Sequence, residues 1–148
     1  MRYFQLVLMI FVMIALSGCD DVANKKQALF NEFNAADTIK ISYVLPDEAL
    51  ELIKNNLENT DFTIIDVRTP QEYVMGHLQG ANNIDIYSAN FVDRVKKLSR
   101  SKTYLLYCLS GSRTERAADI FKSLGFKSVY ILRGGISLWA KYRLPILQ

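Results

Sequence analysis

Thr103-Tyr104-Leu105-Leu106-Tyr107-Cys108-Leu109-Ser110-Gly111-Ser112-Arg113 is the stretch that decides the fold. Residues 103–107 are apolar, aromatic and few, the composition of a buried strand. Beyond Arg113 the run Thr114 to Leu124 places Ala117, Ile120, Phe121 and Leu124 at helical spacing. Cys108 therefore stands at the end of a strand, in a turn that opens a helix. Backbone N–H groups at a helix start lack intrahelical partners, and the helix dipole adds partial positive charge there. Arg113 adds a full charge. Such surroundings favour thiolate over thiol, and the thiolate is the nucleophile. Gly111 gives the turn backbone angles closed to other residues. The plain alternative is a buried, inert cysteine. The strand, glycine turn, arginine and helix in this order argue for a reactive one.

Outward from this stretch the chain repeats the same alternation. Downstream, Gly125 stops the helix, Val129 to Leu132 is a further strand, Gly134-Gly135 permits a tight turn, and Ile136 to Lys141 is a short helix in which Trp139 is a core residue. Upstream, Ser99 to Lys102 is a polar turn. Before it, Ala89 to Leu98 is a helix with Phe91, Val95 and Leu98 inward, and Asn83 to Ile86 is a short strand. Phe62 to Ile65 is a near-continuous apolar strand of the parallel-sheet kind, ending in Asp66-Val67-Arg68. Thr69 then caps a helix with Pro70 in its first turn. Pro46-Asp47-Glu48 starts an earlier helix with Leu50, Ile53 and Leu57 on its apolar face, and Ile39 to Val44 alternates as a strand. Strands alternating with helices predict an α/β fold: a parallel sheet flanked by helices on both faces, with the cysteine loop at the carboxyl end of a strand, where ligands bind.

The composition sets bounds. A chain of 148 residues, 50% hydrophobic and 22% charged, suits one α/β domain plus an extra apolar segment. A net charge of +3 with no long basic run gives no case for nucleic acid as a partner. His77 is the only histidine and the cysteines number two, so no metal-ligand spacing exists.

The cysteine loop resembles that of the rhodaneses, sulfurtransferases that carry a persulfide on a loop cysteine. Asp66-Val67-Arg68, Glu72-Tyr73, Gly76-His77, Gly80-Ala81 and Asn83-Ile84 are similar to the family's first half. Arg133-Gly134-Gly135 with Trp139 is similar to its end. The resemblance implies a rhodanese-like sheet and Cys108 as the sulfur carrier. The loop N–H groups of Leu109, Ser110, Gly111, Ser112 and Arg113 would cradle the persulfide. It also implies that Asp66, Arg68 and Glu72 are scaffold residues that hold the loop and its electrostatics, and that His77 is structural. Sulfur transfer from a thiolate needs no base to activate it. No cofactor is implied. The partners implied are a small sulfur donor, such as thiosulfate, polysulfide or a persulfide, and a thiol or cyanide acceptor. Among the loop's variable positions, Leu109, Ser110 and Ser112 carry no charge to hold a sulfonate. Arg113 is expected to point partly back into the scaffold, with Glu72 as one candidate partner.

Two other readings compete. Rhodanese-fold and tyrosine phosphatases carry five residues between Cys and Arg, and here there are four. A phosphoryl group needs a wider bowl of donors for its three oxygens. The shorter loop closes a tighter bowl, suited to one sulfur, and no acid lies within it. A phosphatase or arsenate reductase is thus disfavoured. A non-catalytic binding module built on the fold is disfavoured by the presence of Cys108.

The extra apolar segment is N-terminal. Arg2 precedes the unbroken run Leu6 to Leu16, followed by Ser17-Gly18-Cys19. This is the layout of a secretory signal, short for a comfortable membrane span. Leu16-Ser17-Gly18-Cys19 resembles the lipobox of bacterial lipoproteins, which implies residues 1–18 as signal peptide, Cys19 as the lipidated N-terminus, residues 19–38 as tether and residues 39–148 as the globular domain. Cleavage would remove Arg2 alone among charged residues and leave a net charge of +2. Lipidation of Cys19 would leave Cys108 as the one free thiol. Asp20 resembles the enterobacterial signal for retention in the inner membrane. The expected location is the bacterial cell envelope, lipid-anchored on the periplasmic face of that membrane.

Overall fold

The structure is a computed structural model that describes residues 22, 24–27 and 39–148. The chain divides into Met1–Thr38 and Ile39–Gln148. In the first unit, residues 22 and 24–27 are helical and exposed. The expected signal segment, the lipobox with Cys19 and most of the expected tether lie outside the described residues. Among the described residues no helix is long and apolar enough to cross a membrane.

The second unit alternates strand and helix throughout: β1 (Lys40–Val44), α1 (Pro46–Lys54), β2 (Phe62–Asp66), α2 (Pro70–Val74), β3 (Ala81–Asn83), α3 (Phe91–Lys96), β4 (Thr103–Tyr107), α4 (Ser112–Ser123), β5 (Ser128–Leu132) and α5 (Gly135–Lys141). The five strands form one sheet in the order β1-β5-β4-β2-β3, and every pairing is parallel. β4 sits in the middle and is covered on both faces, which is why its sequence is apolar without alternation. Its side chains still alternate in space. Tyr104, Leu106 and Cys108 join one core cluster, Leu105 and Tyr107 the other.

The helices divide accordingly. Phe91 and Val95 of α3 and Ala117, Ala118 and Phe121 of α4 pack in the first cluster. Ala49 of α1 and Ile136 and Trp139 of α5 fill the second, with Tyr73 of α2 packed against it. Tyr104, Phe121 and Phe126 anchor the first face, their ring centroids 4.5 to 5.5 Å apart. Each such aromatic pair is worth about 0.5–1.5 kcal/mol beyond the area it buries.

The order also creates a crevice. The neighbours β2 and β4 send their following helices, α2 and α4, to opposite faces of the sheet. The chain parts at their carboxyl ends, and such a switch point is where ligands bind in open α/β sheets. Asp66 ends β2 there, and Cys108 follows β4 there.

Local details depart from the sequence reading in three places. The strand expected over Asn83–Ile86 is instead Ala81–Asn83. Its partner β2 ends at Asp66, opposite Asn83, so no strand remains for later residues to pair with. Ile84 and Ile86 are buried all the same, their N–H groups donating to Asp66 O and Val67 O. The first helix ends at Lys54, and Leu57 lies beyond it, 67% exposed. Asn55 is its C-cap, and the side-chain amide of Asn56 donates to Leu52 O at 2.8 Å just beyond. The helix expected over Ala89–Leu98 is the shorter α3, although Leu98 still packs against the first cluster.

Candidate active site

Cys108 leaves β4 fully buried, with 0% of its surface exposed. Gly111 caps α4 at φ +119°, a left-handed value closed in practice to residues with a side chain. This conformation turns the Gly111 N–H back on to Cys108 Sγ at 3.1 Å. Burial pushes the Cys108 thiol up, but the Thr114 hydroxyl and the N–H groups of Gly111, Thr114 and Ser110 outweigh it, and the thiol titrates below its ordinary value. The expected cradle ran from Leu109 to Arg113. The N–H groups brought to bear on the sulfur are those of Ser110, Gly111 and Thr114, so the donor set extends one residue further along the helix. A hydroxyl residue directly after the loop arginine is the sequence signal that would have drawn attention to Thr114.

The carbonyl side of the loop is held by α5. Ile136 N–H donates to Cys108 O at 2.9 Å and Ser137 N–H to Leu109 O at 3.0 Å. The otherwise partnerless donors of one helix start thus tie down the loop's acceptors. That leaves N–H groups, not carbonyls, to face the sulfur. Close approach of the two backbones requires Gly135, which has φ +56°. A Cβ there would collide with the Cys108 carbonyl oxygen and stand 2.6 Å from that of Leu109. The sequence reading took Gly134-Gly135 only as a turn and missed this clamp.

Arg113 does turn back into the scaffold, and Glu72 is its partner. The two terminal guanidinium nitrogens, Nη1 and Nη2, donate to Glu72 Oε2 and Oε1 at 2.7 Å each. The pair is partly buried, with side chains 13% and 30% exposed. The Arg113 bond holds the Glu72 carboxyl down to about 2, and the same bond raises Arg113. Glu72 is itself fixed by the cap of α2: Thr69 N–H donates to Glu72 Oε2, and Glu72 N–H to Thr69 Oγ1. Arg113 also lies 5.7 Å from the centroid of the Tyr87 ring.

Asp66 and Arg68 form a second lock below the crevice. The pair is buried, with Arg68 Nη2 2.6 Å from Asp66 Oδ2. The same nitrogen donates to Gly76 O at 2.6 Å, joining the end of β2 to the segment after α2. Asn83 Nδ2 donates to the carbonyls of Asp66 and Arg68 at 3.1 and 2.8 Å. Asn83 was named in the sequence only as part of a motif, and this is what its amide does. His77 stacks on Tyr73 with ring centroids 3.9 Å apart, and its backbone exchanges two hydrogen bonds with Leu147. Trp139 is buried and donates to Pro145 O at 2.9 Å. Among the described residues no group of three or more His, Cys, Asp or Glu is arranged to hold a metal.

Two open hollows flank the loop. One, about 330 Å³, is lined by the apolar Leu109, Met75, Ile136 and Ile146 together with the charged Arg68 and Glu72. The other, about 410 Å³, is lined by Ser110, Ser112, Tyr43, Glu115 and Arg133. The first is of mixed character, with the half-exposed Leu109 side chain on one side and the ion-paired Arg68 and Glu72 on the other.

A parallel α/β domain carrying a lone cysteine in a glycine turn at a helix start defines a class of thiol-bearing, anion-stabilising folds. The chain belongs within that class to the rhodanese-like family, whose model, "Rhodanese-like domain", matches residues 48–142. It is 32% identical to the thiosulfate sulfurtransferase GlpE of Pseudomonas paraeruginosa, over 65% of this chain and 81% of that one. It is 33% identical to a probable adenylyltransferase/sulfurtransferase MoeZ of Mycobacterium tuberculosis, over 76% of this chain but only 28% of that longer protein. Among solved structures, the rhodanese-related protein of Thermoplasma volcanium superposes with a TM-score of 0.59 at 26% identity, covering 72% of this chain and 97% of its own. The rhodanese-like domain of an Anabaena protein superposes with a TM-score of 0.58 at 30% identity, covering 71% and 77%.

Proposed function

We propose that this protein is a rhodanese-type sulfurtransferase that carries sulfane sulfur on Cys108. The observation that supports it best is the set of N–H groups trained on a single buried sulfur whose thiol is lowered in spite of its burial. Cys108 thiolate attacks the outer sulfur of a donor, the donor's S–S bond breaks, and the remainder departs with the electron pair. The persulfide so formed places the transferable atom one S–S bond, about 2 Å, beyond Sγ. An acceptor thiolate or cyanide then takes that atom and returns Cys108 to the thiolate. The exposed apolar side chain of Leu109 favours polysulfide or persulfide donors over thiosulfate, because Arg113 is committed to Glu72 and residues 109–112 carry no cation. Donor-dependent formation of thiocyanate from cyanide, abolished in Cys108→Ser, is the expected result. Hydrolysis of an aryl phosphate with no thiocyanate from any donor would overturn the proposal in favour of a phosphatase.

The location proposed is the cell envelope, with the domain anchored by lipid at Cys19 on the periplasmic face of the inner membrane. Its support is the order of Arg2, the apolar run to Leu16, the small residues before Cys19, and Asp20. Two or more acyl chains hold a protein on a membrane stably, where one is marginal. Wild type should incorporate palmitate and fractionate with membranes, and Cys19→Ala should do neither. Labelling that persists in the variant would contradict the anchor.

A further inference from the structure

Three segments distant in sequence meet on the hollow of about 410 Å³. Tyr43 near the end of β1, Glu115 in the first turn of α4 and Arg133 directly after β5 line it, together with Ser110, Gly111 and Ser112 of the loop. The Tyr43 hydroxyl donates to Glu115 Oε2 at 2.8 Å. The Arg133 guanidinium carbon lies 5.1 Å from the centroid of the same ring. One aromatic ring thus positions a carboxylate and a guanidinium. The two charges are not spent on each other: among the described residues neither Glu115 nor Arg133 forms an ion pair. The hollow therefore presents both signs of charge. It also adjoins the reacting sulfur, since Gly111 lines it and the Gly111 nitrogen lies 3.1 Å from Cys108 Sγ. A volume of 410 Å³ is that of a site for a small molecule. Charges of both signs suit a zwitterion and penalise a dianion.

We propose that this hollow is a subsite for the head group of an amino-acid-type thiol or persulfide, one that carries an α-ammonium and an α-carboxylate, a proposal that rests on the sulfurtransferase reading of Cys108. The carboxylate pairs with Arg133, the ammonium pairs with Glu115, and the sulfur end lies across the loop towards Cys108. Cysteine persulfide is a donor of this kind and cysteine an acceptor. Cys108 thiolate attacks the outer sulfur of the persulfide R–S–SH. A bond forms between Sγ and that sulfur, and the S–S bond of the donor breaks. R–S⁻ leaves with the electron pair and the proton stays on the transferred sulfur, so atoms and charge balance. The same step in reverse delivers the sulfur to a cysteine thiolate. Thiosulfate has no cationic group for Glu115 and meets that carboxylate as a repulsion, which agrees with the donor preference set by Leu109.

Sulfur transfer from the loaded full-length protein to four thiols tests this, compared at low salt and equal thiolate concentration. L-cysteine carries both charges, cysteamine the ammonium alone, 3-mercaptopropionate the carboxylate alone and 2-mercaptoethanol neither. KM for L-cysteine should lie about tenfold or more below that for 2-mercaptoethanol. Arg133→Gln should cut the advantage of L-cysteine over cysteamine by about fivefold, and Glu115→Gln its advantage over 3-mercaptopropionate by about fivefold. A structural role for either side chain would move all four thiols together and leave these ratios alone. L-serine, which has the same head group without the thiol, reads the subsite apart from any sulfur chemistry. It should slow iodoacetamide alkylation of Cys108 by about twofold or more in wild type, and the protection should be lost in Arg133→Gln. Four equal KM values in wild type, ratios unchanged in both variants, or no protection by L-serine would overturn the subsite and leave the sulfurtransferase reading intact. If no donor loads the protein, the sulfurtransferase reading fails and L-serine decides the subsite: protection that Arg133→Gln removes upholds it, and its absence overturns it.

Discussion

Replacing Leu109 by arginine should convert a poor thiosulfate site into a better one. Thiosulfate presents a reactive outer sulfur and an anionic sulfonate end. The loop offers that end little. Arg113 spends both terminal guanidinium nitrogens, Nη1 and Nη2, on Glu72 at 2.7 Å, and the side chain at position 109 is apolar and 45% exposed. An arginine there would place a cation roughly 5 Å from the sulfonate. In water such a contact is worth about 0.8 kcal/mol, or roughly fourfold in affinity. Partial desolvation in the 330 Å³ hollow raises it, and about 1.4 kcal/mol would be tenfold. We expect Leu109→Arg to lower KM for thiosulfate by about four- to tenfold at low salt, with kcat little changed. The gain should shrink as ionic strength rises. KM for polysulfide should stay the same or rise, because the apolar contact is lost. Thiocyanate formation against donor concentration, at two salt concentrations, measures all of this. A wild type that already saturates at low thiosulfate, or a variant whose thiosulfate kinetics match wild type at low salt, would refute the reasoning.

Two further perturbations probe the parts that hold the loop. Glu72→Gln keeps the acceptor that caps α2 but discharges the partner of Arg113, and should cost about 1–2 kcal/mol, which lowers Tm by roughly 4–8 °C. Glu72 titrates lower folded than unfolded, so its contribution is complete above about pH 4.5 and is lost as pH falls towards about 2. The Tm gap between wild type and variant should close over that window, and a gap independent of pH would contradict the assignment. Gly135→Ala forces a Cβ into the Cys108 carbonyl at a φ that alanine disfavours. It should cost about 2 kcal/mol or more and suppress Cys108 alkylation at neutral pH, whereas normal reactivity would show that the α5 clamp does not orient the loop.

What was legible in the sequence is what depends on local period and order. The strand Thr103–Tyr107, the helix after Arg113 and the cap of Thr69 on the helix at Pro70 each follow from a few consecutive residues. The parallel sheet follows from their alternation. What was not legible depends on meetings between distant segments. Glu72 lies 41 residues before Arg113, and although the sequence named it as a candidate, other acidic residues were open to Arg113 until the fold chose this one. The grip of Ile136 and Ser137 on the Cys108 and Leu109 carbonyls is backbone to backbone, so no side-chain type announces it. Gly135 signals a close approach in sequence without saying what approaches. Thr114 stood in the sequence only as the start of a helical run, since what its side chain and N–H do to Cys108 depends on how the loop folds back. The strand expected over Asn83–Ile86 was shortened by the end of β2 at Asp66, a limit set by a partner and not by the residues themselves.

The central claim is that Cys108 carries sulfur, and the mass of the intact protein tests it most directly. Exposure of the reduced protein to thiosulfate or polysulfide, removal of excess donor, and mass spectrometry should show one added sulfur atom per chain, located at Cys108 and removed by cyanide. Cys108→Ser should show none, because an alcohol is not appreciably ionised at neutral pH. Wild type that gains no sulfur from any of these donors, or Cys108→Ser that gains as much as wild type, would contradict the account.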